Sequence, residues 1–319
     1  MLYLNEKDIK ELVELKEIIQ IIEGTLDIYE RKEFVMPDRI VINNNDELYA
    51  YMPCFTRDSK GTKILTLFHD NIEKGLPILQ GVMLLNNTKT GKIDCILDGA
   101  AVTALRTGAV GAVGIKYTTE QEHRSVGVVG AGVQGFYQCI YAAIVRNIRK
   151  INIFDINKNK ATDLKRLLEK HLNNAEIKIC IDTKELVKES EIIITTTTAT
   201  NPVIPDNKAL LKNKHFIGIG SYKPDMMEYP RSLFELLNEV YIDVDYAKKE
   251  SGDLVIPIRE GWISESMIKT LGSAIKSNNV NNTGTTFYKS VGMALFDLRV
   301  ADYIFNKAIE KNIGQKLTE

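Results

Sequence analysis

Residues 124–135 read RSVGVVGAGVQG, a short β-branched run that passes directly into a glycine turn. The valines predict a buried strand, and the residues after the turn predict a helix. Gly130 permits a tight turn, Gly132 lets the backbone approach a ligand, and Gly135 lets the helix pack close to the strand. A helix N-terminus behind such a turn presents backbone N–H groups to phosphates. The segment therefore predicts the pyrophosphate site of a nicotinamide dinucleotide.

An acidic residue follows at the distance that such a site requires. Asp155 stands 25 residues after Gly130, directly after the strand-like residues 150–154, KINIF. A carboxylate at this point accepts the 2′-hydroxyl of the adenosine ribose and repels a 2′-phosphate. Ile156 comes next, where a cation would be expected for the phosphorylated cofactor. The sequence therefore favours NAD(H) over NADP(H).

Strand-like and helix-like segments alternate after residue 124, which predicts a parallel sheet of βαβ units. The predicted helices cover residues 133–147 and 158–171, and the predicted strands cover 150–154, 176–180, 191–196, 215–219 and 240–244. Thr196 and Thr197 end one apolar run, where hydroxyl groups can contact ribose or nicotinamide. For either threonine alone, β-branched strand filler is an equal interpretation.

The residues before 119 have a different pattern. They predict a helix over 7–31, a hairpin over 38–52 with the asparagine run as its turn, strands over 62–68, 79–86 and 93–97, and a helix over 99–117. The last 30 residues predict an amphipathic helix that returns to pack on this part of the chain. The predicted fold class is α/β, with a Rossmann dinucleotide-binding domain (119–292) inserted in an α+β substrate domain (1–118 and 293–319).

Composition excludes several classes of function. The 319 residues carry a formal net charge of −1, so no global field attracts nucleic acid or anionic lipid. No apolar run approaches the roughly 20 residues of a membrane span, and the N-terminus does not resemble a signal peptide. The histidines lack metal-ligand spacing, so we expect no metal. We expect free thiols in a reducing cytoplasm at the four widely spaced cysteines, which are Cys54, Cys95, Cys139 and Cys180.

Three basic residues stand in apolar or small-residue settings, namely Arg39, Lys63 and Arg106. Arg106 interrupts an otherwise uncharged stretch of about 18 residues. A lone charge in such a stretch needs a partner, and an anionic ligand is one. Taken singly, each is more often a surface or core-paired cation. Together they suit a carboxylate substrate, because arginine binds carboxylates in a bidentate manner.

The chain resembles the ornithine cyclodeaminase/mu-crystallin family over nearly its whole length. The resemblance rests on Met36-Pro37 with Arg39, Met52-Pro53, Gly61–Lys63, Gly75-Leu76-Pro77, Thr103 with Arg106-Thr107, the GAGVQG turn, Pro224-Asp225 with Glu228, Glu250-Ser251-Gly252-Asp253 and Lys289-Ser290-Val291-Gly292. It implies an NAD(P)-dependent oxidoreductase that acts on a small amino acid or cyclic imine. It also implies a homodimer formed through the substrate domain.

The resemblance implies roles for individual residues. Arg39, Lys63 and Arg106 would bind the substrate carboxylate; Lys63 and Arg106 are the catalytic candidates, and Lys63 is the candidate for proton transfer. The implied dinucleotide contacts are Arg106, Thr107, Val133, Gln134, Asp155, Thr196 and the strand end Ile219-Gly220. Ser290 and Val291 would line the nicotinamide and the substrate.

One departure from the family pattern bears on the reaction. Tyr222 stands where cyclodeaminases and related alanine dehydrogenases carry a catalytic aspartate, and Met226 stands where they carry a lysine. Cyclodeamination needs a base near the α-nitrogen, whereas reduction of a preformed cyclic imine needs a carboxylate anchor, a proton and a hydride. The sequence therefore favours reduction of a cyclic imine or ketimine carboxylate, such as Δ1-pyrroline-2-carboxylate to proline. The alternatives are ornithine cyclodeaminase, a related amino-acid dehydrogenase, and a non-catalytic, crystallin-like binding protein.

Overall fold

The computed structural model describes residues 1–44 and 47–317, and only the backbone of Ile72. These residues form two compact units. Unit 1 comprises Met1–Arg106 and Met293–Glu319, and unit 2 comprises Thr107–Gly292. The boundary falls inside a helix, whereas the sequence places it at residue 118.

Unit 1 contains a mixed sheet and its covering helices. Its elements are β1 (Leu2–Leu4), α1 (Glu6–Leu12), α2 (Leu15–Arg31), β2 (Phe34–Val35), β3 (Ile40–Asn44), β4 (Glu47–Thr56), β5 (Lys60–Phe68), β6 (Leu79–Asn86), β7 (Ile93–Asp98) and the start of α3 (Gly99–Thr118). The C-terminal part adds α12 (Ala294–Lys311) and β16 (Gln315–Lys316), numbered in chain order after the elements of unit 2. Helix α12 packs against α2 and against β4, β5 and β6.

Among the described residues the sheet of unit 1 has eight strands, in the order β16-β1-β7-β6-β5-β4-β2, with β3 paired to β4. Neighbouring strands are antiparallel except β1 with β7. The predicted hairpin is present as β3 and β4, and its turn at residues 45–46 lies outside the described residues.

The helix predicted over residues 7–31 is instead two helices. Asn5 and Asp8 form a capping box that starts α1, and Val13 and Glu14 are extended before α2 begins. The backbone N–H of Glu14 donates to the hydroxyl of Tyr303 on α12 at 3.3 Å. This partner lies far along the chain, so helical periodicity could not reveal the break.

Unit 2 is built on a parallel sheet. Its elements are β8 (Ser125–Val129), α4 (Val133–Val145), β9 (Lys150–Phe154), α5 (Lys158–His171), β10 (Glu176–Ile179), α6 (Thr183–Lys188), β11 (Ile192–Thr195), α7 (Lys208–Leu211), β12 (His215–Gly218), α8 (Arg231–Phe234), β13 (Val240–Ile242), α9 (Ala247–Glu250), α10 (Gly252–Arg259), β14 (Ile268–Thr270), α11 (Leu271–Lys276) and β15 (Thr286–Lys289).

The described strands of this sheet run in the order β10-β9-β8-β11-β12-β15-β13-β14, and each neighbouring pair is parallel. This confirms the predicted Rossmann fold class. The carboxyl ends of β8, β9, β11 and β12 meet at one edge of the sheet, where ligands of such folds bind. The sequence did not predict β14 or β15, because each is short and lacks a strand-period pattern.

The described residues also show what the chain offers for metal binding, membrane insertion and disulfide formation. Within residues 1–44 and 47–317, no group of histidine, cysteine, aspartate or glutamate side chains could hold a metal ion. No described helix is both long and apolar enough to cross a bilayer. The four cysteines are buried free thiols in the part of the chain that the structure describes.

Candidate active site

A buried ionic cluster in unit 1 contains two of the three predicted cations. The Lys63 ammonium lies 2.7 Å from Oδ1 of Asp297, and Nε of Arg106 donates to the same oxygen at 3.1 Å. All three side chains are buried: Lys63 is 1% exposed, Asp297 is 0% exposed and Arg106 is 6% exposed. With Lys63 protonated this trio carries a net charge of +1, which a substrate carboxylate would neutralise.

Strand periodicity explains why a lysine is buried here. Alternate residues of β5 face the core, so Gly61, Lys63 and Leu65 are buried together. The Lys63 ammonium also donates to the Thr103 hydroxyl at 3.3 Å. Thr103 and Arg106 are three residues apart on α3 and therefore lie on the same face of that helix. The fold thus places both cations beside one carboxylate.

The charges of the cluster shift its proton equilibria. Burial lowers the pKa of Lys63 to about 7; the Asp297 charge opposes this, whereas the charges of Arg106 and Arg39 add to it. Burial alone would raise the pKa of Asp297, but Arg106 and Lys63 hold it below its usual value. The half-buried Arg39 is therefore close enough to Lys63 to act on it electrostatically.

Asp297 was not predicted from the sequence. It lies on α12 in the buried stripe formed with Ala301, Ile304 and Ala308. An acidic residue inside an apolar helical stripe is a detectable signal, because such a buried carboxylate needs a cationic partner. Its partners, Lys63 and Arg106, lie too far away in sequence for the pattern to identify them.

In unit 2 the glycine turn has the geometry that a dinucleotide requires. Gly130 adopts φ of 103°, and a Cβ atom there would lie 2.7 Å from Oγ1 of Thr196. A Cβ on Gly135 would lie 2.2 Å from the carbonyl oxygen of Gly130, so the helix approaches the strand closely. A Cβ on Gly132 would meet no described atom within 4 Å, which leaves room beside the N-terminus of α4. These features fit a bound pyrophosphate.

The first residues of α4, beside the glycine turn, leave an exposed surface and a polar atom that a ligand could contact. Val133 is 66% exposed, and Oε1 of Gln134 is buried without a hydrogen bond among the described residues. Asp155 accepts the backbone N–H groups of Ala131 and Asn157, each at 2.7 Å. Each carboxylate oxygen keeps a further lone pair, so Asp155 can still accept a ribose hydroxyl.

The predicted threonines and the next strand end contact protein groups. Thr196 donates its hydroxyl to the carbonyl of Gly130 at 3.0 Å, and Ile219 donates its backbone N–H to the carbonyl of Thr195 at 3.0 Å. The carbonyl of Thr107 accepts a bond of 2.9 Å from the Gln138 side chain. The structure therefore brings the glycine turn and the end of β11 together.

Glu228 organises the loops after β11 and β12. One of its oxygens accepts the N–H and the hydroxyl of Thr197, at 2.7 and 2.8 Å. The other accepts the hydroxyl of Thr195 at 2.8 Å and the N–H groups of Gly220 and Ser221 at 2.9 and 3.2 Å. A Cβ on Gly220 would lie 2.2 Å from the carbonyl oxygen of Thr197, so only glycine fits between the loops. The sequence marked Glu228 as a motif residue without a role.

Two further buried charges support Glu228. Its backbone N–H donates to Oδ1 of Asp253 at 2.7 Å, and Oδ2 of Asp253 lies 3.4 Å from the Lys289 ammonium. All three residues are fully buried. Burial raises the pKa of both carboxyl groups, and the Lys289 charge opposes this rise. Three separate sequence motifs therefore meet in one cluster.

A second carboxylate holds the segment after β15. Ser290 donates its hydroxyl to Asp243 at 2.6 Å, and the N–H groups of Val291 and Gly292 donate to the same side chain at 3.4 and 2.7 Å. Asp243 follows β13 directly and is fully buried. Asp243 could not be predicted from the sequence, because its role depends on a loop about 48 residues later.

Tyr222, where the resemblance noted from the sequence would place a catalytic aspartate, lies in the loop after β12. Its ring is half-buried, and the Lys223 ammonium lies 5.9 Å from the ring centroid. Burial, followed by the charge of Asp225, raises the pKa of the phenol. Tyr222 is therefore neutral at physiological pH, and the carboxylate of Asp225 is exposed.

The chain is similar to known proteins over nearly its whole length. The ornithine cyclodeaminase/mu-crystallin family matches residues 1–312. The Δ1-pyrroline-2-carboxylate reductase of Bacillus cereus is 29% identical over 328 residues, which cover 99% of each chain. The solved Δ1-pyrroline-2-carboxylate reductase of Thermococcus litoralis, in complex with NADH and L-proline, superposes with a TM-score of 0.93 at 30% identity, covering 99% of this chain and 100% of that one.

A more distant solved structure has the same fold. An archaeal alanine dehydrogenase dimer with bound NAD has a TM-score of 0.92 at 22% identity, covering 100% of this chain and 99% of that one. The family match over residues 1–312 covers nearly the whole chain. The chain belongs to the ornithine cyclodeaminase/mu-crystallin family.

Proposed function

We propose that this protein is an NADH-dependent reductase of cyclic imine carboxylates, with Δ1-pyrroline-2-carboxylate as substrate and proline as product. The observation that carries the proposal is the buried Lys63–Arg106–Asp297 cluster with its net positive charge. The choice of substrate is supported by two similar proteins that are named Δ1-pyrroline-2-carboxylate reductase. The structure of one of them was solved in complex with NADH and L-proline.

Each residue of the cluster has a task in this reaction. Arg106, helped by Arg39, holds the substrate carboxylate through charge-assisted hydrogen bonds. Lys63 donates a proton to the imine nitrogen, and its pKa of about 7 suits a general acid at neutral pH. A bound reduced nicotinamide supplies the hydride that adds to the imine carbon. The imine thus gains one hydride and one proton and becomes the secondary amine.

Tyr222 favours imine reduction over cyclodeamination. A cyclodeaminase must first oxidise a primary amine, and this step needs a base near the α-nitrogen. A neutral, half-buried phenol is a poor base at physiological pH. Reduction of an imine that arrives already formed does not need this base.

The proposal is tested by a coupled assay. NADH oxidation is followed with Δ1-pyrroline-2-carboxylate, and ammonia release from L-ornithine is measured in parallel. We expect rapid NADH oxidation with the imine and no ammonia from ornithine. Ammonia release from ornithine without turnover of the imine would show that the protein is a cyclodeaminase.

We further propose that NADH is preferred to NADPH. Asp155 lies beside the glycine turn, and a carboxylate there repels a 2′-phosphate. We expect kcat/KM to be at least about ten-fold higher with NADH, since like charges in contact cost several kcal/mol. The Asp155→Ser variant should lose most of this preference, as measured by initial rates with both cofactors.

The matched control for this variant is Asp163→Ser. Asp163 lies on α5 with a side chain that is 73% exposed, so the substitution should leave the preference unchanged. A wild-type protein that uses NADPH as well as NADH would contradict the role of Asp155.

We also propose that two copies associate through the edge of unit 1 that contains β3. All five residues of β3 are exposed, and Ile40, Val41 and Ile42 are 55%, 40% and 50% exposed. Contiguous apolar residues at a surface indicate an interaction site. The archaeal alanine dehydrogenase of the same fold is a dimer.

Light scattering should therefore give twice the mass of one chain, and the Ile40→Lys/Ile42→Lys variant should give the mass of one chain. Ile181 in unit 2 is 85% exposed, so Ile181→Lys is the control that should leave the mass unchanged. A monomeric wild-type protein would refute the association.

We infer that the protein works in the cytoplasm. Its four cysteines are free thiols in the described structure, and thiols persist in reducing compartments.

A further inference from the structure

Asp297 contacts the two buried cations Lys63 and Arg106 through a single oxygen. Oδ1 lies 2.7 Å from the Lys63 ammonium and accepts the Nε proton of Arg106 at 3.1 Å. Oδ2 is buried and has no hydrogen bond within residues 1–44 and 47–317. The interactions of this carboxylate are therefore concentrated on the two residues that the proposed reaction uses.

A buried carboxylate of this kind is costly. Its desolvation is offset only by strong interactions, and apolar replacements of buried ion pairs are often as stable as the pair. The contact is thus poorly explained by stability alone. It does determine where the Lys63 ammonium lies and how the plane of the Arg106 guanidinium is oriented, because a hydrogen bond to Nε fixes that plane.

The charged groups around Lys63 shift its pKa in opposite directions. Arg106 of α3 and Arg39 ahead of β3 favour the neutral amine, as does burial, whereas Asp297 of α12 favours the ammonium. Cys54 of β4 also faces Asp297, but burial raises its pKa to about 12, so it is an uncharged thiol at neutral pH. Among these groups, Asp297 alone carries a negative charge that retains the proton on Lys63.

We propose that Asp297 is a positioning residue that keeps Lys63 protonated and Arg106 oriented for the carboxylate of the substrate. This inference rests on the proposed imine reductase activity. Asp297 itself takes no part in proton or hydride transfer, and it acts through Lys63 and Arg106.

The first test is the pH profile of the Asp297→Asn variant, which keeps the shape of the side chain and removes its charge. Activity requires protonated Lys63, so kcat/KM falls as pH rises through the pKa of Lys63. Without Asp297 this fall should move to lower pH by about 1 to 2 units, the usual effect of one nearby opposite charge. Starting from a pKa of about 7, the kcat/KM of the variant should therefore be reduced about 10- to 100-fold at pH 8 and should regain at least about half of its low-pH limit near pH 5.

Recovery at low pH separates this role from a structural one, because a misfolded site does not regain activity on protonation. Asp302→Asn is the matched control, since Asp302 lies on the same helix, is half-buried and contacts Arg299 at 3.7 Å. Its profile should match that of the wild type. Asp297→Glu keeps the charge and should keep the pH of the inflection, even if its kcat/KM is lower. An unchanged inflection in Asp297→Asn would overturn the proposal.

A second measurement needs no substrate. Protein labelled with ¹³C at lysine Cε is titrated by NMR in the wild type and in Asp297→Asn, and Lys63→Met identifies the Lys63 signal. A downward shift of the Lys63 titration in the variant supports the role of Asp297 even if the imine is not turned over, in which case only the proposed activity fails. Turnover of the imine with identical Lys63 titrations would overturn the role and leave the proposed activity intact.

Discussion

Replacing Lys63 by methionine should lower kcat/KM for imine reduction by about 100- to 10,000-fold, the usual contribution of a general acid. Methionine fills a similar volume in the buried position but carries no proton. It also removes one of the two positive charges beside Asp297, so the cluster loses the net positive charge that a substrate carboxylate would neutralise. The loss should therefore appear in kcat and in the KM of the imine, as measured by steady-state rates.

The KM for NADH should remain close to that of the wild type, because the proposed dinucleotide site is built from unit 2. Lys60→Met is the matched control on the same strand. Its ammonium donates to the carbonyl of Thr88 at 3.1 Å, and the side chain is only half-buried. Unchanged turnover in a folded Lys63→Met protein would exclude Lys63 as the proton donor.

Replacing Glu228 by glutamine should destabilise unit 2 by about 2–4 kcal/mol, because backbone donors that now meet a carboxylate would face an amide N–H₂ group. Whichever way the amide is oriented, either the Thr197 N–H or the N–H groups of Gly220 and Ser221 lose their acceptor. These residues form the loops after β11 and β12, so the affinity for NADH should fall as well. Urea unfolding and NADH fluorescence titration measure the two effects.

Glu235→Gln is the control for this substitution. Glu235 accepts from Lys208 and Arg231 at 2.7 Å each, at the surface of the same unit. Exposed ion pairs contribute little, so this variant should unfold and bind NADH like the wild type. Wild-type stability and NADH affinity in Glu228→Gln would show that the loops do not depend on the carboxylate.

Local patterns predicted the part of the fold whose interactions lie close together in sequence. The run from Ser125 to Gly135 identified β8, the turn and α4, because strand propensity, glycine conformation and helix packing are all expressed within a few residues. The strand-like composition of residues 62–68 and 79–86 was equally informative, since β-propensity depends on residues close together in sequence. The fold class followed from the order of such segments.

Elements that depend on distant partners could not be predicted in the same way. Strand β1 is three residues long and pairs with β7 and β16, which lie near residues 95 and 316. Strand β15 pairs with β12 and β13 on its two sides. So short a strand carries little periodic signal, and these strands form because the sheet supplies hydrogen-bond partners.

The same distinction between local and distant interactions applies to the candidate site. The sequence alone identified four site residues and the chemistry that each can perform, namely Gly130, Asp155, Lys63 and Arg106. This was possible because glycine conformation and side-chain charge are intrinsic properties. Only the tertiary structure showed that Asp297 holds Lys63 and Arg106, although it lies 191 residues after Arg106, and that Glu228 holds two loops. A buried carboxylate acquires its function from the donors that folding brings within about 3 Å, and no local pattern encodes that distance.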